Sequence, residues 1–149
     1  MNSFKINGHT FLAFANHVNG SYNIDSFIYK WNGNKFVLFK PIPTHGATAW
    51  HPFVMCGQTY LGVANLRVNK EEFNTHSVVY QFSGETFVKY QEFPTQGAFD
   101  MTSFECKGHI YLVITNFRNN DKKKNINSTL YKWKARKWMS LKKLEEGDG

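Results

Sequence analysis

Residues 53–101 read FVMCGQTYLGVANLRVNKEEFNTHSVVYQFSGETFVKYQEFPTQGAFDM, and the parsing of this stretch decides the fold. It divides into four short runs rich in aromatic and β-branched residues, the composition of strands. They are Phe53–Cys56, Thr59–Ala64, Ser77–Phe82 and Thr86–Glu92. Gly57-Gln58 and Ser83-Gly84 read as hairpin turns. Leu66–His76 reads as a long polar loop and Pro94–Gly97 as an exit loop. In the last run Phe87, Lys89 and Gln91 alternate with Val88, Tyr90 and Glu92, the period of a strand with two unlike faces.

The same parsing fits the chain on either side. Phe4, Gly8, Leu12 and Asn16 recur as Phe53, Gly57, Leu61 and Asn65, then as Phe104, Gly108, Leu112 and Asn116. Ser26 and Tyr29 recur as Ser77 and Tyr80, then as Ser128 and Tyr131. Unit one carries Asn32-Gly33 at its third turn and Pro43–Gly46 at its exit. Unit three has Ala135-Arg136 where a glycine turn is expected, and no Pro-Gly exit.

Four-stranded antiparallel units at a period of about 50 residues are propeller blades. The expected fold is all-β: three four-stranded antiparallel blades, an incomplete ring. The blades are placed at 1–50, 51–101 and 102–145, with a tail at 146–149. The ring pairs Tyr29/Trp31, Tyr80/Phe82 and Tyr131/Trp133 are expected between blades. The only helix-compatible stretch, around Lys142–Glu146, is too short to stand alone. A propeller takes roughly 4 to 8 blades. The chain is therefore expected either to belong to a longer propeller, the favoured reading, or to complete itself by self-assembly.

Composition narrows the function. The chain has 149 residues, 42% of them apolar and 17% aromatic, enough to build one core and too apolar for disorder outside the tail. No apolar run reaches bilayer length, so membrane insertion is not expected. MNSFKINGH is not a signal peptide, but it begins inside the first repeat, so its lack of a leader does not argue against secretion. The net charge of +7 is concentrated late. It reads either as solvated loop and strand faces or as a patch for an acidic partner, heparan sulfate included. No nucleic-acid motif accompanies it, and no nucleic-acid partner is expected. Cys56 and Cys106 fall in equivalent strands one position out of step, which predicts two buried free thiols rather than a disulfide.

The phrases TFLAFANH, TYLGVANL and IYLVITNF, each after a glycine turn, resemble the epilepsy-associated (EPTP) repeat, as do SFIYKWNGNKFVLFKPIPTHGATAW and SVVYQFSGETFVKYQEFPTQGAFDM. The likeness covers nearly the whole chain in three copies. It implies a seven-bladed propeller, outside the cell, secreted or in the ectodomain of a membrane protein, acting in protein recognition and cell adhesion. It also implies that aspartates in the central channel can hold calcium. The exit motif departs from the pattern in places: its Asp is Asp100 in unit two but Ala49 in unit one, and its Trp is Trp50 but then Met101.

Asp100 is the candidate metal ligand. One carboxylate cannot supply the roughly 6 to 8 oxygens calcium takes, and the alternative reading is a turn Asp accepting backbone N–H bonds. Asn16, Asn65 and Asn116 recur with Tyr29, Tyr80 and Tyr131 in every unit, which favours structural roles, each Asn bonding the start of the following loop. The three long loops, 17–25, 66–76 and 117–127, differ most between units and are expected on one rim with the exits. Arg67, Lys70, Arg118, Lys122, Lys123 and Lys124 would give that rim its positive charge. Asn19-Gly20-Ser21 and Asn127-Ser128-Thr129 fit the glycosylation pattern and are compatible with secretion.

No enzyme signature is present. His45, His51 and Cys56 match no zinc spacing, and neither a phosphate-cradling loop nor a serine elbow occurs. The expected function is a non-enzymatic extracellular module that docks a protein through its loop rim. A heparin or other acidic-glycan surface on the basic third blade is the first alternative, and an intracellular propeller scaffold the second.

Overall fold

The computed structural model describes residues 1–117, 120 and 128–144, the last three of these for the backbone alone. Among these residues twelve strands form three sheets. The first contains β1 (Asn2–Ile6), β2 (His9–Phe14), β3 (Asn23–Trp31) and β4 (Phe36–His45). The second contains β5 (Ala47–Met55), β6 (Gln58–Asn65), β7 (Asn74–Ser83) and β8 (Thr86–Gln96). The third contains β9 (Ala98–Cys106), β10 (His109–Asn116), β11 (Ser128–Lys134) and β12 (Lys137–Leu144). Within each sheet the strands lie side by side in chain order, every neighbour antiparallel. Among the described residues there is no helix. Lys142–Leu144, expected as helix-compatible, continues β12 instead.

The first hairpin of each sheet turns on the same two residues, Asn7-Gly8, Cys56-Gly57 and Lys107-Gly108, both with positive φ. That geometry matches the twist of the flanking strands. The turn in unit two thus falls one residue earlier than Gly57-Gln58. Cys56 is a turn residue rather than a strand residue, and Cys106 sits beside the turn. Both thiols are free and both are exposed, against the expectation of burial, because they lie at or beside the hairpin turns rather than in the packed middle of a strand.

The Pro-Thr-x-Gly segments are strand as well, not loops. Pro43 and Thr44 lie in β4, Pro94 and Thr95 in β8, and only Gly46 and Gly97 break the chain before the next sheet begins. β4 and β8 are edge strands, where a proline's missing N–H costs no ladder bond. Each third-to-fourth strand pair shifts register just before the recurring tyrosine, at Ile28/Tyr29, Val79/Tyr80 and Leu130/Tyr131. Such an irregularity sharpens the twist locally, and it recurs because its sequence does.

The core lies between sheets, in two layers. In the first, Phe11 and Phe39 meet Phe82 and Phe87 with ring centroids 6.2–6.5 Å apart. In the second, Phe53 meets Trp138 at 6.1 Å, Tyr90 meets Trp133 at 5.7 Å and Phe93 meets Tyr131 at 4.7 Å. Offset and edge-on ring pairs of this kind add to the burial that drives the stacking. Tyr80 and Tyr131 are buried there, as expected, whereas Tyr29 is only half-buried and Trp31 is exposed. The reason is topological: no sheet among those described lies on that side of the first.

Candidate recognition rim

The most repeated polar residues form a buried frame rather than a ligand site. The backbone N–H groups of Asn16, Asn65 and Asn116 donate to Ser26, Ser77 and Ser128 Oγ at 3.0, 3.1 and 3.4 Å. Asn16 Nδ2 donates to the Asp25 carbonyl at 2.9 Å and Asn65 Nδ2 to that of His76 at 2.7 Å. These carbonyls lie where the long loop rejoins the sheet, not at its start, where the sequence pointed. Ser26 Oγ is 2.8 Å from Thr44 Oγ1, and Ser77 Oγ is 3.1 Å from Thr95 Oγ1. The threonine of each Pro-Thr-x-Gly exit thereby locks the last strand to the base of the loop. Satisfied, buried networks of this kind hold geometry.

On that frame the loops and exits do share one rim, and the exit glycines join them. Gly46 N–H donates to the Tyr22 carbonyl at 2.7 Å, and Gly46 O accepts from Leu66 N–H at 3.1 Å. One unit later Gly97 N–H donates to the Phe73 carbonyl at 2.8 Å, and its own carbonyl accepts from Phe117 N–H at 2.7 Å. Each glycine thus ties the loop of its own sheet to the loop of the next. Its φ is positive at both positions, 55° and 62°, a conformation that favours glycine.

Side chains extend these ties. The Arg67 guanidinium lies between two rings, 4.9 Å from the centroid of Tyr22 and 4.8 Å from that of Phe73. This residue, expected to offer free charge to a partner, bridges the first and second loops instead. The gap in the sequence reading was that a cation flanked by rings from two loops cannot be seen in one linear stretch. Asn120 of the third loop accepts from Phe73 N–H at 2.6 Å and donates to Glu72 Oε1 at 2.8 Å. The Asn120 bond first, and then the one from Asn74 N–H, hold the Glu72 carboxyl below its usual range. Lys70 stands exposed at the tip of the second loop, where Asn69 Oδ1 accepts from Glu71 and Glu72 N–H groups. Asn19 is exposed in the first loop. Arg118, Lys122, Lys123, Lys124 and Asn127 lie outside the described residues.

A second polar region lies where the first strands of the second and third sheets approach. His51 Nε2 is 2.8 Å from Ser103 Oγ, and Thr48 Oγ1 donates to the Phe99 carbonyl at 2.7 Å. Burial pushes the His51 imidazole below its ordinary value, against an opposing pull from Asp100. Asp100 itself is exposed in β9, and its Oδ1 accepts from the Met101 N–H at 2.8 Å. It therefore makes the local backbone bond that the alternative reading describes. Among the described residues no three His, Cys, Asp or Glu groups stand together to hold a metal, so these donors do not by themselves fit calcium.

Between the first and second sheets a cleft of about 490 Å³ is lined by Lys40, His45, His76, Tyr80, Lys89 and Glu92 among others. Burial first, then the neighbouring His76 and Lys89 charges, lowers the His45 imidazole below its ordinary value. Burial, with a smaller push from Glu92, raises the Tyr80 hydroxyl to about 12. The cleft thus sets the buried apolar Ile42, Val78 and Phe87 beside the cationic Lys40 and Lys89.

The EPTP domain family model matches the chain three times, over residues 1–32, 35–83 and 86–134. A thrombospondin-type laminin G domain and EAR repeat-containing protein of Homo sapiens is 39% identical over 110 residues, which is 72% of this chain and 16% of that protein. The protein of the same description from Mus musculus shows the same identity and coverage. The chain spans 16% of the length of the curated relatives it matches.

Proposed function

Because this chain belongs to the EPTP family, we propose that it is a non-enzymatic module for recognising a protein partner outside the cell, through the rim of stitched loops. The observation that carries this reading is the contrast between frame and rim. The Asn–Ser–Thr frame and the exit glycines repeat from sheet to sheet, whereas the loops they hold differ in sequence. A fixed scaffold presenting unlike loops is how recognition surfaces are built. The extracellular setting is supported by the relatives, whose name joins EAR repeats to a thrombospondin-type laminin G domain.

Lys70, with Arg118 and Lys122 to Lys124, supplies the positive part of that surface, and Asn19 and Asn127 carry glycans. Seven blades would complete the ring, and calcium would need carboxylates from further blades beside Asp100. The test is binding of the chain, secreted from eukaryotic cells, to a panel of cell-surface ectodomains. A partner is expected whose binding falls with Lys70→Glu and persists in 0.5 M salt. Binding only to heparin, abolished by that salt, would favour the glycan surface instead. Failure of every ectodomain, with Asn19 and Asn127 both unmodified, would sink the extracellular reading.

A further inference from the structure

The two junctions between successive sheets are built alike, so each serves as a control for the other. At the second junction Phe93 of β8 packs on the Tyr131 ring at 4.7 Å, and Trp138 is buried near the start of β12. The strand registers put Ile42 where Phe93 stands, Tyr80 where Tyr131 stands and Phe87 where Trp138 stands. The first junction therefore has a smaller side chain at two of these three positions. Ile42 gives the Tyr80 ring no aromatic partner. The cleft of about 490 Å³ opens at this place, with Ile42, Tyr80 and Phe87 buried in its lining. That volume lies within the roughly 300–1,000 Å³ of ligand pockets. Both of its walls are sheets of this chain, carrying the edge strands β4 and β8.

The charged groups differ between the junctions too. His45 and Lys89 line the cleft, whereas the matching positions one sheet on hold Gln96 and Ser140. His76 joins them in the lining, and both His76 and Lys89 act on the charge of His45, so the three groups converge on one space. Lys40 adds a further ammonium, two of whose N–H groups are held by Thr86 and the Phe87 carbonyl. Glu92 is the one acid among the lining residues, and it is paired with Lys89. An apolar lining without the ring that its sister junction has, beside a group of cations, fits an aromatic ring that carries an anion.

We propose that this cleft binds a sulfated tyrosine of a protein partner, with its ring against Tyr80, Ile42 and Phe87 and its sulfate among His45, His76 and Lys89. The ring takes the part that Phe93 plays on Tyr131, and the sulfate offers acceptors to cations that otherwise only repel one another or pair with Glu92. The choice of sulfate rests on the extracellular reading, because tyrosines are sulfated in the secretory pathway. The fit of a ring and an anion rests on the cleft alone.

Calorimetric titration of the full chain tests it, with a short synthetic peptide carrying one sulfotyrosine among glycines and serines, and the unsulfated peptide as its control. The sulfated peptide is expected to bind, and the unsulfated one at least about tenfold more weakly. Ile42→Phe installs the residue of the second junction and should abolish binding by filling the cleft. Glu92→Gln removes the one acid and releases Lys89, and should tighten binding about threefold, the scale of a partly exposed ion pair. A gain of that kind cannot come from unfolding. Should Ile42→Phe fail to fold by circular dichroism, Lys89→Gln at an exposed position gives the loss, again about threefold. No binding of the sulfated peptide, equal binding of the unsulfated one, undiminished binding by folded Ile42→Phe or by Lys89→Gln, or no gain in Glu92→Gln would each overturn the proposal. Such a failure leaves the loop rim untouched, because the rim is tested by ectodomains and Lys70→Glu.

Discussion

Gln91 holds Trp138 by both ends of its side-chain amide: its Oε1 accepts from the Trp138 N–H at 2.8 Å, and its Nε2 donates to the Trp138 carbonyl at 2.9 Å. One sheet earlier Lys40 stands at the same place, and its ammonium donates to the Phe87 carbonyl at 2.8 Å and to Thr86 Oγ1 at 3.0 Å. A polar side chain on the outer strand of one sheet thus latches the backbone at the start of the next sheet's outer strand. Loss of either partner leaves part-buried backbone groups short of bonds. Gln91→Ala is therefore expected to lower stability by about 1–3 kcal/mol in urea denaturation. A midpoint equal to that of the native chain would show the latch to be incidental.

Gly46 and Gly8 both have positive φ, 55° and 83°, but only one is crowded. A Cβ on Gly8 meets nothing within 4 Å, whereas one on Gly46 would come within 2.9 Å of the Arg67 carbonyl oxygen. Gly8→Ala should cost roughly the 1–2 kcal/mol of a left-handed non-glycine residue. Gly46→Ala should cost more, because it also pushes the second loop away from the exit. Thermal melts of the two variants give the comparison, and the reverse order would contradict the stitched-rim description.

Arg67 separates packing from charge. Lysine keeps the charge but lacks the planar group that lies between Tyr22 and Phe73. Arg67→Lys is expected to lose most of what Arg67→Ala loses, on the order of 1–2 kcal/mol. Full rescue by lysine in a denaturation experiment would mean that charge alone matters there.

Acid should weaken the junction of the second and third sheets through His51. Its folded pKa lies below the ordinary 6.5 because burial disfavours the imidazolium. Below pH 6.5 the unfolded chain therefore takes up more protons at this site than the folded one, and stability falls as pH falls through that window. As pH rises past 6.5 that slope fades, because neither state then holds the proton. In His51→Gln, measured by urea denaturation between pH 5 and 7.5, the slope should be visibly shallower; an unchanged slope would place the pH dependence elsewhere.

Much of this was legible in the chain itself. The sheets and their antiparallel order follow from a repeat in which aromatic and apolar runs alternate with glycine turns, since each run has few other ways to bury its faces. The inter-sheet rings were readable for the same reason, except at Tyr29 and Trp31, whose partner would be a preceding sheet. What escaped was whatever depends on two units at once. The Arg67 stack, the Gln91 latch and the His51–Ser103 contact join residues far apart in sequence whose types carry no shared signal. The exits read as loops because Pro-Thr-x-Gly is turn chemistry, and the edge-strand position of those prolines is a tertiary fact.

The family's unit and the folded sheet are out of phase: the match over 35–83 takes β4 from one sheet and β5, β6 and β7 from the next. Gene duplication of that unit would hand each new copy an outer strand already paired with its older neighbour, so an ancestral array could lengthen by one without ever stranding a three-legged sheet. Proteolytic or engineered breakpoints have no such latitude. A cut at Gly46 or Gly97 releases whole sheets, whereas a cut at the edge of the sequence unit tears one.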